Sequence, residues 1–422
     1  MLLSRREAIG AGMMLLSSAA VGQGASARLS FTVDVPIDHD RRGAGTFPLA
    51  CEWGAPPVAG RQTVVLVADA QQYYLRPGGT ARLQTQLFGA GFNVLGIVGR
   101  SRSDALGRLV MPAGKPDWMQ AYRLLNWTQW ARDLGLVIDR LRLERKGVGL
   151  YGRSGGAHLI NQFLTTRPKL GARVFVQAAV NHELDAYWGL GADRFWEEFS
   201  TAEPAAARDL LAWLSRHPER RRDLILMLQR QNFFETLADL PAARLKAVRA
   251  FLTGDEASVR EMRARYQIDS LEQMRANLEG VGSAVRVYEF AAALNDPRAG
   301  GSRKLMPDSE ALFHYAAPLA DAGYRPPVPR TGWMRLRTQT SEVLQVAGRY
   351  DHTCDYRTQI GLNGLTANSR LLILDDNHVF QRWGASGRQP AFLQAWFGGG
   401  WDSPAFQREV AALGDLRWRE GG

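Results

Sequence analysis

Cysteine is nearly missing: Cys51 and Cys354 are the two in 422 residues, which allows at most one disulfide. No Cys/His spacing of the zinc-site kind occurs, so no metal is expected. Long apolar runs are missing too. The run through Met13, Met14, Leu15 and Leu16 is too short for a resident bilayer-spanning helix, so no stable membrane insertion is expected. No basic stretch carries interleaved aromatics and no nucleic-acid motif is present, so the formal charge of +10, mostly arginine, reads as surface composition. No internal repeat and no cofactor motif is evident. What remains is an ordinary globular composition, 45% hydrophobic and 22% charged, with length for a sizeable core.

Ser4-Arg5-Arg6-Glu7, the short apolar run and then Ala25-Ser26-Ala27 have the layout of a twin-arginine export signal. The expectation is a signal over 1–27, use of the twin-arginine export machinery, and a mature chain from near Arg28 that is periplasmic or secreted. An oxidising address permits a Cys51–Cys354 bridge. Cys51 on an early edge strand and Cys354 beside the far end of a late strand argue for two unbridged, mostly buried thiols instead.

Taken in order, Phe31–Pro36 and Thr46–Trp53 flank a polar, glycine-containing turn and read as an antiparallel hairpin. Thr63–Ala68, Phe92–Val98, the run opening at Val148, and Ala172–Val180 are continuous apolar strands. Helical patterns lie between them, after Gly78-Gly79 and over Met119–Arg142. From about Asn181 to Thr338 strand signals stop, and helices are expected over Ala205–Ser215, Arg221–Leu237, Ala242–Leu252 and Ser258–Tyr266. Strands return at Glu342–Gly348 and Leu371–Leu374. Apolar strands alternating with helices imply a mostly parallel sheet covered on both faces. The helical block would be a cap (181–338) inserted between the sixth and seventh strands of a core formed by 28–180 and 339–422.

The strand at Val148 ends in Gly152-Arg153-Ser154-Gly155-Gly156 and passes into a helical pattern with Leu159, Ile160 and Phe163 on one face. Chance alone supplies on the order of 0.2 G-x-S-x-G matches in so glycine-rich a chain, so the motif gains weight from its strand–turn–helix setting. Such an elbow strains the serine backbone, demands small neighbours and lifts the hydroxyl clear of the sheet. Asp351 and His378 each follow a strand at the same, carboxyl end. Serine, a weak nucleophile, needs an imidazole base, and the imidazole needs a carboxylate to hold it. Ser154, Asp351 and His378 are therefore the candidate nucleophile, acid and base, with Asp355 and Asp376 as alternatives for the acid.

At these residues the chain resembles the α/β-hydrolases, and among them the prolyl aminopeptidase and tripeptidyl aminopeptidase group. Val35-Pro36-Ile37-Asp38-His39 resembles that group's opening Val-Pro-Leu-Asp-His/Tyr. Gly99-Arg100-Ser101-Arg102-Ser103-Asp104 resembles its Arg-Gly-x-Gly-Arg-Ser-Asp turn, and Gly348–Cys354 its acid loop. The resemblance spans roughly residues 29–400 and is weak inside the cap. It implies an α/β-hydrolase fold and a serine hydrolase that needs no cofactor, acting on small peptides through an acyl-Ser154 intermediate; with the N-terminal signal, the expectation is an exported enzyme. A carboxylester hydrolase is the alternative within the same chemistry. The group's His-Gly-Gly-Pro-Gly after the third strand is replaced by Ala68-Asp69-Ala70-Gln71-Gln72. A backbone donor needs no particular side chain, so Ala70 or Gln71 remains a candidate oxyanion-hole donor beside Gly155. The group also grips a free amino terminus through cap acids, for which Glu183, Asp185, Glu197 and Glu198 are the candidates. The altered loop motivates one reading of another class, a non-catalytic binding protein on the same fold.

Overall fold

The computed structural model describes residues 29–41, 43–70, 75, 78–188, 190, 194–269, 278–294 and 326–418. The expected export signal and Gln71 lie outside them. Eight strands form one sheet: β1 (Ser30–Pro36), β2 (Thr46–Trp53), β3 (Thr63–Val67), β4 (Asn93–Ile97), β5 (Val148–Arg153), β6 (Arg173–Gln177), β7 (Glu342–Gly348) and β8 (Ser369–Leu374). Their order is β1-β2-β4-β3-β5-β6-β7-β8. The β1–β2 hairpin joins antiparallel, and β4, β3, β5, β6, β7 and β8 run parallel. This is the α/β-hydrolase fold that the sequence leads one to expect. Cys51 sits on β2, which β1 and β4 flank, so it is not on an edge strand. Neither cysteine is bridged, and burial, with the Asp133 charge second, pushes the Cys51 thiol up to about 12.

The central strands are apolar on both faces because both faces are covered. Val65, Val67, Leu150, Val174 and Val176 point into one core with Leu134, Ile138 and Phe163. Val64, Leu66, Tyr151, Phe175 and Leu344 point into the other with Phe392, Trp396 and Phe397. The long helix expected over Met119–Arg142 is instead two, Trp118–Leu125 and Trp127–Arg140. Asn126 breaks it with an extended backbone (ψ 162°), and its side chain caps the second helix by accepting from the Thr128 and Gln129 amides. An Asn in an apolar pattern competes for backbone partners in just this way.

Between β6 and β7 the described regular elements are all helical. They include Arg194–Ala202, Pro204–Arg216, Pro218–Phe234, Leu240–Thr253, Glu256–Arg265 and Leu278–Leu294. Phe199, Leu210, Trp213, Met227, Phe251 and Ile268 belong to a third hydrophobic cluster, separate from the two sheet faces. No helix of the described residues is long and apolar enough to cross a membrane.

Two of the sequence motifs turn out to hold the scaffold. The guanidinium of Arg100, fully buried, donates to the carbonyls of Pro36 and Ile37 (both 2.7 Å) and of Leu124 (2.9 Å), and it pairs with Asp133 (3.1 Å). His39 meets the same Asp133 at 2.7 Å. These bonds tie the opening hairpin to the carboxyl end of β4.

Candidate active site

β5 delivers Ser154 into a sharp turn with φ 49° and ψ −122°, left-handed territory that a non-glycine residue enters at a cost of about 1–3 kcal/mol. The turn is held by the Ser154 amide donating to Gln177 O (2.8 Å) and by Ser154 O accepting from the His158 amide (3.0 Å). A Cβ at Gly152 would lie 2.7 Å from Ile160 Cδ1 and 2.9 Å from the Ala157 amide nitrogen, so that position has no room for a side chain. The helix Gly155–Thr166 starts at once. Its first amide, that of Gly155, therefore has no partner inside the helix.

The loops after β7 and β8 leave the same, carboxyl end of the parallel sheet as the Ser154 turn, with β6 between β5 and β7. They bring Asp351 and His378 together, with His378 Nδ1 2.9 Å from Asp351 Oδ2. Asp351 Oδ1 accepts from the Thr353 and Cys354 amides, both at 2.8 Å. The carboxylate is thus fully engaged and fully buried, and Nδ1–H is the donor to it. Nε2 is left with its lone pair, the tautomer a general base requires. The Phe233 ring stands edge-on to the His378 ring at 4.9 Å, so the helix Pro218–Phe234 closes over the imidazole.

The alternative acids are occupied elsewhere. Asp355 caps the helix Tyr356–Leu365 and pairs with Arg357. Asp376 accepts the amides of Trp383 (2.8 Å), Asn377 (2.9 Å) and Arg382 (3.2 Å), and burial raises its pKa against those bonds. Asp351 is the acid that meets His378.

The loop after β3 lies against the Ser154 turn. A Cβ on Gly155 would fall 1.9 Å from Asp69 Oδ2, so Gly155 is small because Asp69 occupies that space. Asp69 is buried and pairs at 3.4 Å with Arg286 Nε. Arg286 also donates to Glu289 Oε2 and to Gln162 Oε1, both at 2.9 Å. Glu289 in turn accepts the Trp127 amide at 2.8 Å, and burial foremost raises its pKa. Through this chain the helix Leu278–Leu294 clamps the loop, while Gly282 lets it approach Ser101 and Ala70. Among the described residues the amides of Ala70 and Gly155 donate to nothing, which suits them to an oxyanion. Neither Asp69 nor Arg286 was singled out from sequence, because no local pattern marks a pair 217 residues apart.

The cap acids are placed differently. Glu198 accepts from His352 Nε2 at 2.7 Å and lies 3.8 Å from Arg244 Nη1. Arg244 donates to His352 Nδ1 at 2.5 Å, so the His352 proton is on Nε2. Glu183 bonds to Thr331 and Trp333, and burial foremost raises its pKa. Asp185 is shared by His182 Nδ1 (3.1 Å) and Thr358 Oγ1. Glu197 is exposed and feels Arg357.

One group among the described residues could hold a metal. Asp351, Cys354 and His378, all buried, each offer a ligand atom, and these atoms lie within 4.8 Å of one another. The sequence spacing hides this trio, because its members sit on two loops.

No protein-family model matches the chain, and no curated protein matches it. Solved structures resemble it in three dimensions. Proline iminopeptidase from Mycobacterium smegmatis is 14% identical over 90% of this chain and 99% of that one, with a TM-score of 0.47. A bromoperoxidase from Bacillus anthracis is 15% identical over 86% and 98%, TM-score 0.41. A hydrolase from Pseudomonas aeruginosa PA01 is 17% identical over 87% and 98%, TM-score 0.39. The α/β-hydrolase fold is shown by the strand order itself.

Proposed function

We propose that the protein is an exported serine hydrolase that works through an acyl-Ser154 intermediate. The observations carrying this reading are the strained serine at the carboxyl end of β5 and, at the same end of the sheet, a His378–Asp351 pair whose bond leaves Nε2 as the acceptor. In the proposed cycle Ser154 Oγ attacks the substrate carbonyl while its proton passes to His378 Nε2. Asp351 then stabilises the imidazolium. The amides of Gly155 and Ala70 receive the oxyanion, and His378 returns the proton to the leaving group. Water repeats the sequence to free the enzyme.

For the acyl group, a peptide with a free amino terminus is the substrate we favour, on the motif resemblance. A carboxylester is the second reading. It gains from the engagement of Glu198 by His352 and of Glu183 by Thr331 and Trp333, which leaves two of the expected ammonium-binding acids already bonded. Both share the chemistry at Ser154. The export step rests on the N-terminal pattern.

The test is labelling of the purified mature protein by a fluorophosphonate, beside Ser154→Ala, followed by aminoacyl arylamide and ester panels. Labelling that disappears in the variant is expected. An unlabelled, folded parent overturns the reading and leaves a non-catalytic binding protein on this fold. Ester turnover without arylamide turnover would reject the peptide assignment alone.

A further inference from the structure

We propose that Asp351, Cys354 and His378 form a binding site for a zinc-class divalent cation, and that its occupancy switches off the Ser154 site. The binding half stands on the geometry alone. The switching half rests on the serine-hydrolase reading.

The three residues are 0%, 2% and 6% exposed, and their ligand atoms fall within 4.8 Å. They come from adjacent loops at the ends of β7 and β8. The Asp351 loop turns back on itself, with the Thr353 and Cys354 amides both bonded to Asp351 Oδ1. That turn carries Cys354 over the carboxylate and leaves Oδ2 directed at His378 Nδ1. One thiol, one imidazole and one carboxylate make the mixed S, N, O donor set that zinc takes in sites with an open fourth position. Magnesium and calcium, which want six or more oxygens, are poorly served. Zinc bonds of about 2.0–2.3 Å set tetrahedral donors about 3.3–3.8 Å apart, so on binding the His378 Nδ1–Asp351 Oδ2 pair, now 2.9 Å, opens slightly to admit the ion, with Cys354 within 4.8 Å of both.

The proton balance explains why such a cation would stop the reaction. Neutral imidazole has one N–H, here on Nδ1. A cation that bonds Nδ1 takes the lone pair exposed when that proton moves to Nε2. The Cys354 thiol loses its proton to solvent and bonds as thiolate. One proton leaves per ion bound, and the two anionic ligands cancel the ion's charge, which suits a buried site. His378 Nε2 then carries a hydrogen and can no longer accept the Ser154 proton. The base is disabled by a change of tautomer, with the serine itself untouched.

The experiment titrates the chelator-treated full mature protein with Co(II) and reads the near-ultraviolet thiolate-to-cobalt absorption. Fluorophosphonate labelling is followed with and without zinc. One cobalt per chain with a thiolate band is expected, weakened at least about tenfold in Cys354→Ala and in the closer-fitting Cys354→Ser. Labelling of the parent should be lost with zinc and return with chelator, while both variants label equally with and without zinc. Absence of a thiolate band, or cobalt affinity unchanged in both variants, overturns the site. A thiolate band with labelling indifferent to zinc overturns the switch. A parent that never labels but shows the band refutes the hydrolase reading and the switch and keeps the metal site.

Discussion

Arg286→Met tests the clamp on the loop after β3. The substitution keeps the aliphatic stem and removes the guanidinium from a cluster in which Arg286, Asp69 and Glu289 are about 4%, 3% and 4% exposed. It deletes bonds to Asp69 (3.4 Å), Glu289 (2.9 Å) and Gln162 (2.9 Å), and the stacking of the guanidinium on the Phe290 ring at 4.6 Å. Two carboxyl groups then remain buried with no cation among these partners. Breaking a buried pair from one side costs about 3–5 kcal/mol, most of it the desolvated charge left behind. Asp69→Asn combined with Arg286→Met removes one of those stranded charges and should recover a large part of the loss. The assay is urea unfolding followed by tryptophan fluorescence, on parent, single and double variants. A single variant within about 1 kcal/mol of the parent, or a double variant no more stable than Arg286→Met, would refute the claim that Arg286 neutralises Asp69.

Asp351→Asn should lower fluorophosphonate labelling by about 10⁴-fold because the imidazole loses its tautomer, and Asp376→Asn should leave it near the parent's rate; equal effects would reject the choice of acid. Gly155→Ala should abolish labelling and lower stability, since its Cβ would lie 1.9 Å from Asp69 Oδ2; a soluble, fully labelling variant would show that the loop yields freely. Burial, then the Arg286 and His182 charges, hold His158 well below its ordinary 6.5. The unfolded chain therefore binds more protons in the window below 6.5, and this contribution to stability is intact above it and lost as pH falls through it. His158→Phe, between Phe290 and Trp333, should flatten the acid side of the stability curve, read as urea midpoints from about pH 7 down to about pH 5; an unchanged slope would exclude His158 as a contributor.

The sheet was legible because its central strands are unbroken apolar runs, and the Ser154 elbow because steric demand writes glycine into the sequence. Asp351 was legible by position, but only the structure separates it from Asp355 and Asp376, whose oxygens cap other backbone amides. Asn126 shows the limit of periodicity: the apolar spacing continues across it while the backbone does not. The Asp69–Arg286 pair and the Cys354 cluster were not legible, since each is made by chain segments that meet only in the folded protein. The cap acids were legible as acids, yet their partners could not be read.

The clamp also sets a timetable for the chain. Asp69 and Arg286 are 217 residues apart, and Trp127 and Glu289 are 162 apart. Contacts so distant close late, after large stretches of chain entropy have been given up. As the chain leaves the ribosome, the strand and turn bearing Ser154 precede by far the helix that steadies the loop beside it, and His378 comes later still. A nascent chain holding β1 to β6 thus has Ser154 but neither His378 nor the Arg286 clamp. Completion of the C-terminal strands brings Asp351 and His378 to the end of the sheet that carries Ser154, so under the proposed mechanism truncated or stalled chains would carry an inert serine.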